Sequence, residues 1–206
     1  MTKIKLCGLF REEDIRMVNR ALPDYCGFVF YEKSHRNVGR EKAAELKAML
    51  DKRIKAVGVF VDHDPGEICS LAENGVIDVI QLHGHEDREY ILSLKEKTEA
   101  EIIRAFQIGK GAEEELSSVI KEIEECPADL VLIDSGKGSG KVFDWDFLKN
   151  IRRPFFLAGG LNAGNIEEAV KTVSPYGLDL SSGIETEGIK DENKIREIMR
   201  ILRPGL

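Results

Sequence analysis

The residues whose types and spacing could do chemistry fall into a few groups. Cys7, followed by Gly8, lies near the end of the apolar run Lys3 to Leu9, and Asp134 closes the run Leu130-Val131-Leu132-Ile133. A lone Cys is commonly a small buried hydrophobe, and an Asp after a strand commonly caps a turn. Facing one cavity, the two become an acid and a base whose surroundings tune their proton affinities. A free thiol of pKa about 8.5 is only a few per cent thiolate at pH 7, so Cys7 as a base calls for a neighbouring cation. Lys5, two residues earlier, is the candidate. Arg36, after Lys33-Ser34-His35, is either a solvated loop residue or a guanidinium placed to clamp a carboxylate. Two stretches of small residues, Leu157-Ala158-Gly159-Gly160-Leu161 and Asp179-Leu180-Ser181-Ser182-Gly183, read either as tight turns or as backbone N–H groups and hydroxyls cradling a phosphate.

Other motifs fail on spacing. Gly136-Lys137-Gly138-Ser139-Gly140-Lys141 runs into Val142-Phe143-Asp144-Trp145, not the Ser or Thr that a Walker A lysine requires, and reads as a flexible loop over the site. The GxGxxG fingerprint is absent, which argues against a nicotinamide enzyme. His83, His85, Glu86 and Asp87 are close in sequence, but no second ligand cluster accompanies them, and His35 and His63 sit in separate loops. A solvated loop with one inward His83, and no metal, is the expectation.

Eight short apolar runs must position these groups: Lys3 to Leu9, Tyr25 to Phe30, Ala56 to Val61, Val76 to Leu82, Glu101 to Gln107, Leu130 to Ile133, Pro154 to Ala158 and Gly177 to Leu180. Between them lie charged stretches with apolar residues three and four apart, such as Lys42 to Leu50 and Leu116 to Ile123, as amphipathic crossover helices require. Strands alternating with helices imply parallel right-handed βαβ units. Eight such units favour an α/β fold of the (β/α)8 TIM-barrel type in one domain, 1–206, over an open doubly wound sheet. The polar clusters all stand at C-terminal strand ends, where ligands bind in such folds, and the N-terminal ends show no comparable clustering. Side-chain alternation turns Lys5, Cys7, Gln81 and His83 to the interior with Asp134, and Ile4, Leu6, Ile80 and Leu82 to the helices.

Composition sets the outer bounds. The chain is 42% hydrophobic and 33% charged, enough for a core under a solvated surface, which excludes a disordered or fibrous protein. Thirty basic and thirty-seven acidic residues leave a net charge of −7 without a basic stripe, which argues against nucleic acid and anionic membranes as partners. No run approaches the roughly 18 apolar residues of a membrane span. Four cysteines without CxxC spacing, and a start, MTKIKLCGLF, without a long apolar run, lead to the expectation of a reducing cytoplasm. At about 26 residues per unit the barrel has almost no room for insertions.

In this order and at these strand ends, the motifs resemble those of the phosphoribosylanthranilate isomerases. The similarity rests on Lys5-Leu6-Cys7-Gly8, Ser34-His35-Arg36 with Val38, Val57-Gly58-Val59-Phe60-Val61, Gln81-Leu82-His83-Gly84, Asp134 with Gly138-Ser139-Gly140 and Phe143-Asp144-Trp145, the Gly159-Gly160 loop, and Asp179 through Glu185 with Lys190-Asp191. It runs from the first strand to the last helix. The resemblance implies a barrel enzyme of tryptophan biosynthesis that performs an Amadori rearrangement on a small phosphosugar, needing no metal or organic cofactor. It places the general base on Cys7, the general acid on Asp134 and the anthranilate-binding guanidinium on Arg36. His83 joins the substrate site, Asp179 meets the sugar hydroxyls, and Gly159, Gly160, Ser182 and Gly183 meet the phosphate. Departures are His35 before the arginine, Ser139 in place of Thr, a shortened loop after Asp134, and Glu187 before Gly188 where Pro is common. Two other readings stay open. The histidine-pathway Amadori isomerase is expected to use an aspartate where Cys7 stands, and a non-catalytic phosphosugar-binding barrel has no need of Cys7 and Asp134 together. Monomer and homodimer are equally compatible with the sequence.

Overall fold

The apolar runs pair because each is buried along most of its length, as strands flanked by helices on one face and a filled interior on the other must be. They form β1 (Lys3–Cys7), β2 (Tyr25–Phe30), β3 (Lys55–Phe60), β4 (Val79–Leu82), β5 (Glu101–Gln107), β6 (Leu130–Asp134), β7 (Phe155–Ala158) and β8 (Gly177–Leu180). The computed structural model describes residues 1–108, 113–135 and 145–204. All eight strands are parallel in sequential order, and β8 returns to β1 through the pairs Lys3–Gly177 and Lys5–Asp179, closing the (β/α)8 barrel.

The crossovers carry α1 (Glu12–Ala21), α2 (Arg40–Met49), α3 (Pro65–Glu73), α4 (Arg88–Lys95), α5 (Glu113–Glu125), α6 (Ile166–Val173) and α7 (Glu192–Leu202). Their buried residues recur at three-residue spacing, Ile15 with Val18, Ala43 with Leu46 and Ile91 with Leu94, so each helix lays one stripe on the sheet. Asp64, Asp87 and Asp191 cap α3, α4 and α7, each carboxylate accepting a first-turn backbone N–H. One crossover departs from the expected pattern. Between β6 and β7 the described part is a six-residue 3₁₀ helix, Trp145–Asn150. Residues 136–144, which hold Lys137, Gly138, Ser139, Gly140 and the Phe143-Asp144 motif, lie outside the described residues.

Two cores result. Ile4, Leu6, Ile80 and Leu82 belong to the layer between strands and helices, whereas Cys7, Val57, Val79, Ile103, Leu130 and Leu132 fill the barrel, as alternation predicts. Tyr25, Phe156 and Tyr176 form the interior's floor, with ring centroids 5.4 Å apart in two edge-to-face contacts.

The N-terminal mouth corrects one expectation, because it does carry a polar cluster. Asp24, Asp78 and Asp129, each just before an even-numbered strand, accept the backbone N–H of Ile4, Ala56 and Ile102 at 2.9, 2.7 and 2.9 Å. Each also pairs with a lysine: Lys3, Lys47 and Lys95 respectively. Arg203 adds a second cation to Asp24.

Candidate active site

The C-terminal strand ends deliver the expected residues to one cavity of about 300 Å³. Cys7 comes from β1, Arg36 from the loop after β2, His83 from the end of β4, Asp134 from β6, Gly159 and Gly160 from beyond β7, and Asp179 and Ser182 from β8 and its loop. Gly183 does not line the cavity. A Cβ at that position would lie 1.8 Å from the Leu161 carbonyl oxygen, so Gly183 lets the loops after β7 and β8 close on each other behind the cavity wall. A cleft of about 380 Å³ between the loops after β2 and β3, lined by Phe30, Lys33, Arg40 and His63 among others, contains none of Cys7, Asp134 and Asp179.

Lys5 has zero solvent exposure, and its ammonium donates to Asp179 Oδ2 at 2.9 Å, one rung across the β1–β8 ladder. Burial pulls this ammonium down, but Asp179 and then Cys7 outweigh it and hold Lys5 above its ordinary value. Asp179 Oδ1 is buried without a hydrogen-bond partner, and Asp179 lines the cavity. Lys5 does draw the Cys7 thiol toward acidity, as expected of the candidate cation, but its pull is not the largest influence. Burial, the larger influence, pushes the thiol above its usual value, and the opposing pull of Lys5 does not prevail.

Across the cavity, His83 Nε2 stands 3.6 Å from Asp134 Oδ2, and His83 Nδ1 is 3.1 Å from Gln81 Nε2. With the amide oriented so that Nε2 donates, His83 accepts at Nδ1 and carries its proton on Nε2, facing the carboxylate. Gln81 is almost fully buried, and its Oε1 has no partner. Its inward parity is legible in the sequence, whereas its place in the site appears only once β4 is packed against its neighbours. The side chains that follow His83 in sequence diverge in space. Glu86 is buried against Arg104 and accepts the backbone N–H groups of Asp62 and Gly84 at 2.8 Å, His85 is exposed beside Asp62, and Asp87 caps α4. Among the described residues no three His, Cys, Asp or Glu side chains cluster to hold a metal ion.

Arg36 meets a carboxylate already. Its Nε and Nη2 donate to Oε1 and Oε2 of Glu185 at 2.7 and 2.5 Å, and Lys190 donates to Glu185 Oε1 at 2.5 Å. Neither Glu185 nor Lys190 was among the expected site residues, since the contact joins positions 149 residues apart. The loop proposed for phosphate is braced from behind, where Asn162 and Asn165 donate to the Gly160 carbonyl at 3.0 and 3.1 Å. Gly159 and Gly160 adopt left-handed φ angles of 96° and 63°.

Comparison with known proteins follows the same lines. A family model described as N-(5'phosphoribosyl)anthranilate (PRA) isomerase matches residues 4–200. The N-(5'-phosphoribosyl)anthranilate isomerase of Endomicrobium trichonymphae is 47% identical over 208 residues, covering 98% of this chain and 99% of the relative. Among solved structures, monomers generated from the dimeric phosphoribosylanthranilate isomerase of Thermotoga maritima superpose with a TM-score of 0.81 at 31% identity, covering 97% of both chains. A phosphoribosyl anthranilate isomerase in complex with reduced 1-(o-carboxyphenylamino)-1-deoxyribulose 5-phosphate gives a TM-score of 0.82 at 30% identity, again covering 97% of both.

Proposed function

The chain belongs to the N-(5'-phosphoribosyl)anthranilate isomerase family, and on that premise we propose which of its side chains carry the reaction. It is a phosphoribosylanthranilate isomerase of tryptophan biosynthesis, converting an aldosylamine phosphate into the corresponding ketose phosphate. Asp134 is the general acid. It protonates the furanose ring oxygen, the C1–O bond breaks, and the nitrogen lone pair closes a protonated Schiff base. Cys7, as thiolate, then removes the C2 proton; the C–H electron pair forms the C1=C2 bond, and the iminium pair returns to nitrogen. The enolamine so formed takes a proton at C1 and loses the one on its C2 hydroxyl, giving the ketone. Contributions of ~10² to 10⁴ from each proton-transfer group are usual for such steps.

Arg36 binds the carboxylate of the aromatic ring, Asp179 and His83 meet the ribose portion, and the loops holding Gly159, Gly160 and Ser182 receive the phosphate, with Gly183 shaping the second loop. What carries this reading is that Cys7 and Asp134, from different strands, line one cavity with Asp179, a residue whose buried Oδ1 has no hydrogen-bond partner. A carboxylate that lines a cavity and has an unpartnered oxygen is suited to donors that arrive with a ligand, as sugar hydroxyls do. The test follows loss of phosphoribosylanthranilate fluorescence with wild type, Cys7→Ser and Asp134→Asn. Each variant is expected to lose at least two orders of magnitude in kcat, and a variant that keeps full rate loses its assigned role.

The enzyme works as one domain over residues 1–206 on a phosphosugar, in the cytoplasm, as a monomer or homodimer. The dimeric Thermotoga relative supports pairing, and no helix among the described residues is long and apolar enough to cross a membrane. Sedimentation analysis distinguishes the two assembly states.

A further inference from the structure

After β8 the chain makes a small hairpin of β9 (Glu185–Thr186) and β10 (Ile189–Lys190), in which Lys190 pairs directly opposite Glu185. Both turn residues, Glu187 and Gly188, have positive φ, 52° and 78°, as a two-residue type I′ turn requires. A ribbon this short is not stable alone. It is tied to the start of α7 by Thr186 Oγ1 donating to Asp191 Oδ2 at 2.7 Å, by Asp191 N donating to Ile184 O at 2.9 Å, and by Lys194 Nζ donating to Glu185 O at 2.5 Å. The effect of the tied hairpin is to hold one carboxylate and one ammonium, 5% and 0% exposed, beneath the guanidinium of Arg36.

A guanidinium has five N–H donors. Glu185 takes Nε–H and one N–H of Nη2, which leaves Nη1 and the rest of Nη2 as a second fork of the shape that binds a carboxylate bidentately. Charge matters as much as shape. Arg36 and Glu185 alone sum to zero, and Lys5 with Asp179 sums to zero beside them. Lys190 restores one net positive charge at this side of the cavity. We propose that Glu185 and Lys190 are positioning residues for Arg36: Glu185 holds one edge of its guanidinium, and Lys190 cancels Glu185 so that the free edge keeps its attraction for the ring carboxylate. The proposal rests on Arg36 being the carboxylate binder. Burial draws the Lys190 ammonium down against the support of Glu185. Burial likewise pushes the Glu185 carboxyl up, but Arg36 and Lys190 together hold it below its ordinary value.

The experiment measures binding of two ligands, reduced 1-(o-carboxyphenylamino)-1-deoxyribulose 5-phosphate and the phenylamino counterpart that lacks the ring carboxyl. A unit charge some 8 to 10 Å from the carboxylate, at an effective dielectric near 20, changes affinity by roughly ten-fold or more. Lys190→Met is therefore expected to weaken the carboxylated ligand about ten-fold, to leave the other within about two-fold, and to be largely rescued as Lys190→Arg. In an Arg36→Met background the same change is expected to have a clearly smaller effect, because only the direct Coulomb part of the Lys190 charge survives there and the part that acts through Arg36 is lost. Equal weakening of both ligands by Lys190→Met, or an undiminished effect without Arg36, overturns the proposal. A different pattern, Arg36→Met failing to discriminate between the ligands, overturns the Arg36 reading and the proposal with it. If Lys190→Met does not fold, Glu185→Gln/Lys190→Met removes both buried charges together, and its loss must fall on the carboxylated ligand alone.

Discussion

Replacing Lys5 by Met tests the buried pair at the centre of the site. The substitution keeps the aliphatic stem and volume but removes the ammonium that donates to Asp179 Oδ2 at 2.9 Å. Asp179 Oδ1 has no hydrogen-bond partner and the residue is 9% exposed, so the variant leaves a buried carboxylate without its charge partner. Breaking one side of such a pair costs about 3–5 kcal/mol, out of a total stability that for a domain is typically about 5–15 kcal/mol. At roughly 2–4 °C per kcal/mol for a protein of this size, Tm should fall by about 6–20 °C. Lys5→Met/Asp179→Leu removes both charges, and replacement of a buried pair by apolar groups is commonly neutral or stabilising. Its stability should return to within about 1 kcal/mol of wild type, although the carboxylate proposed to meet the sugar is gone. Urea unfolding by circular dichroism, with m-values compared across the set, gives the free energies. A single variant within about 1 kcal/mol of wild type, or a double variant as unstable as the single, refutes the reasoning that the Lys5–Asp179 contact is a buried pair whose partners depend on each other.

Three other outcomes follow from the same structure. Glu187 holds a φ of 52° that a Gly adopts without strain, so Glu187→Gly should raise stability by about 0.5–1 kcal/mol in calorimetry, and a fall in Tm would contradict the turn assignment. Because burial raises the Cys7 thiol, its thiolate fraction lies below that of a free thiol at any given pH, and iodoacetamide labelling of Cys7 read by mass spectrometry should have its midpoint above that of free cysteine. A midpoint below the free value would show that Lys5 prevails after all. Gly183→Ala forces the Leu161 carbonyl to move, so KM should rise at least about ten-fold with a smaller change in kcat, as expected when ground-state binding is what suffers.

The strands were legible because short Val-, Ile- and Leu-rich runs bounded by glycine and charge have few other uses, and their ends fall within three residues of those expected. Parity was legible for the same reason, since alternation is a property of the strand alone: Lys5 and Cys7 point inward while Ile4 and Leu6 pack on the helices. What escaped the sequence is what closure of the barrel creates. In sequence Lys5 is a neighbour of Cys7, but its hydrogen-bonded charge partner is Asp179, 174 residues away, because β8 lies beside β1 only once the ring has closed. Glu185 escaped for a like reason, as Arg36 reaches it across the mouth from another loop. The aspartates below the barrel are silent in the sequence because an Asp before a strand looks like an ordinary turn residue until its partner strand is known.

Those aspartates recur at intervals of 54 and 51 residues, once in each of the strand pairs β1–β2, β3–β4 and β5–β6. The barrel is thus a ring of quarter-turn modules, three of them bolted at the base by a carboxylate that grips the preceding strand. Among the described residues the fourth, β7–β8, has no such bolt; Tyr176 stands before β8, and only its backbone carbonyl reaches Lys3. That quarter also has the shortest ladder, two pairs of residues. A closed ring has no free edge at which to fray, so opening starts at its weakest seam. The loops assigned to the phosphate rise from the two strands on either side of that seam. If the phosphate docks there as proposed, substrate is the missing rivet, and by linkage its binding raises the resistance of this quarter to opening.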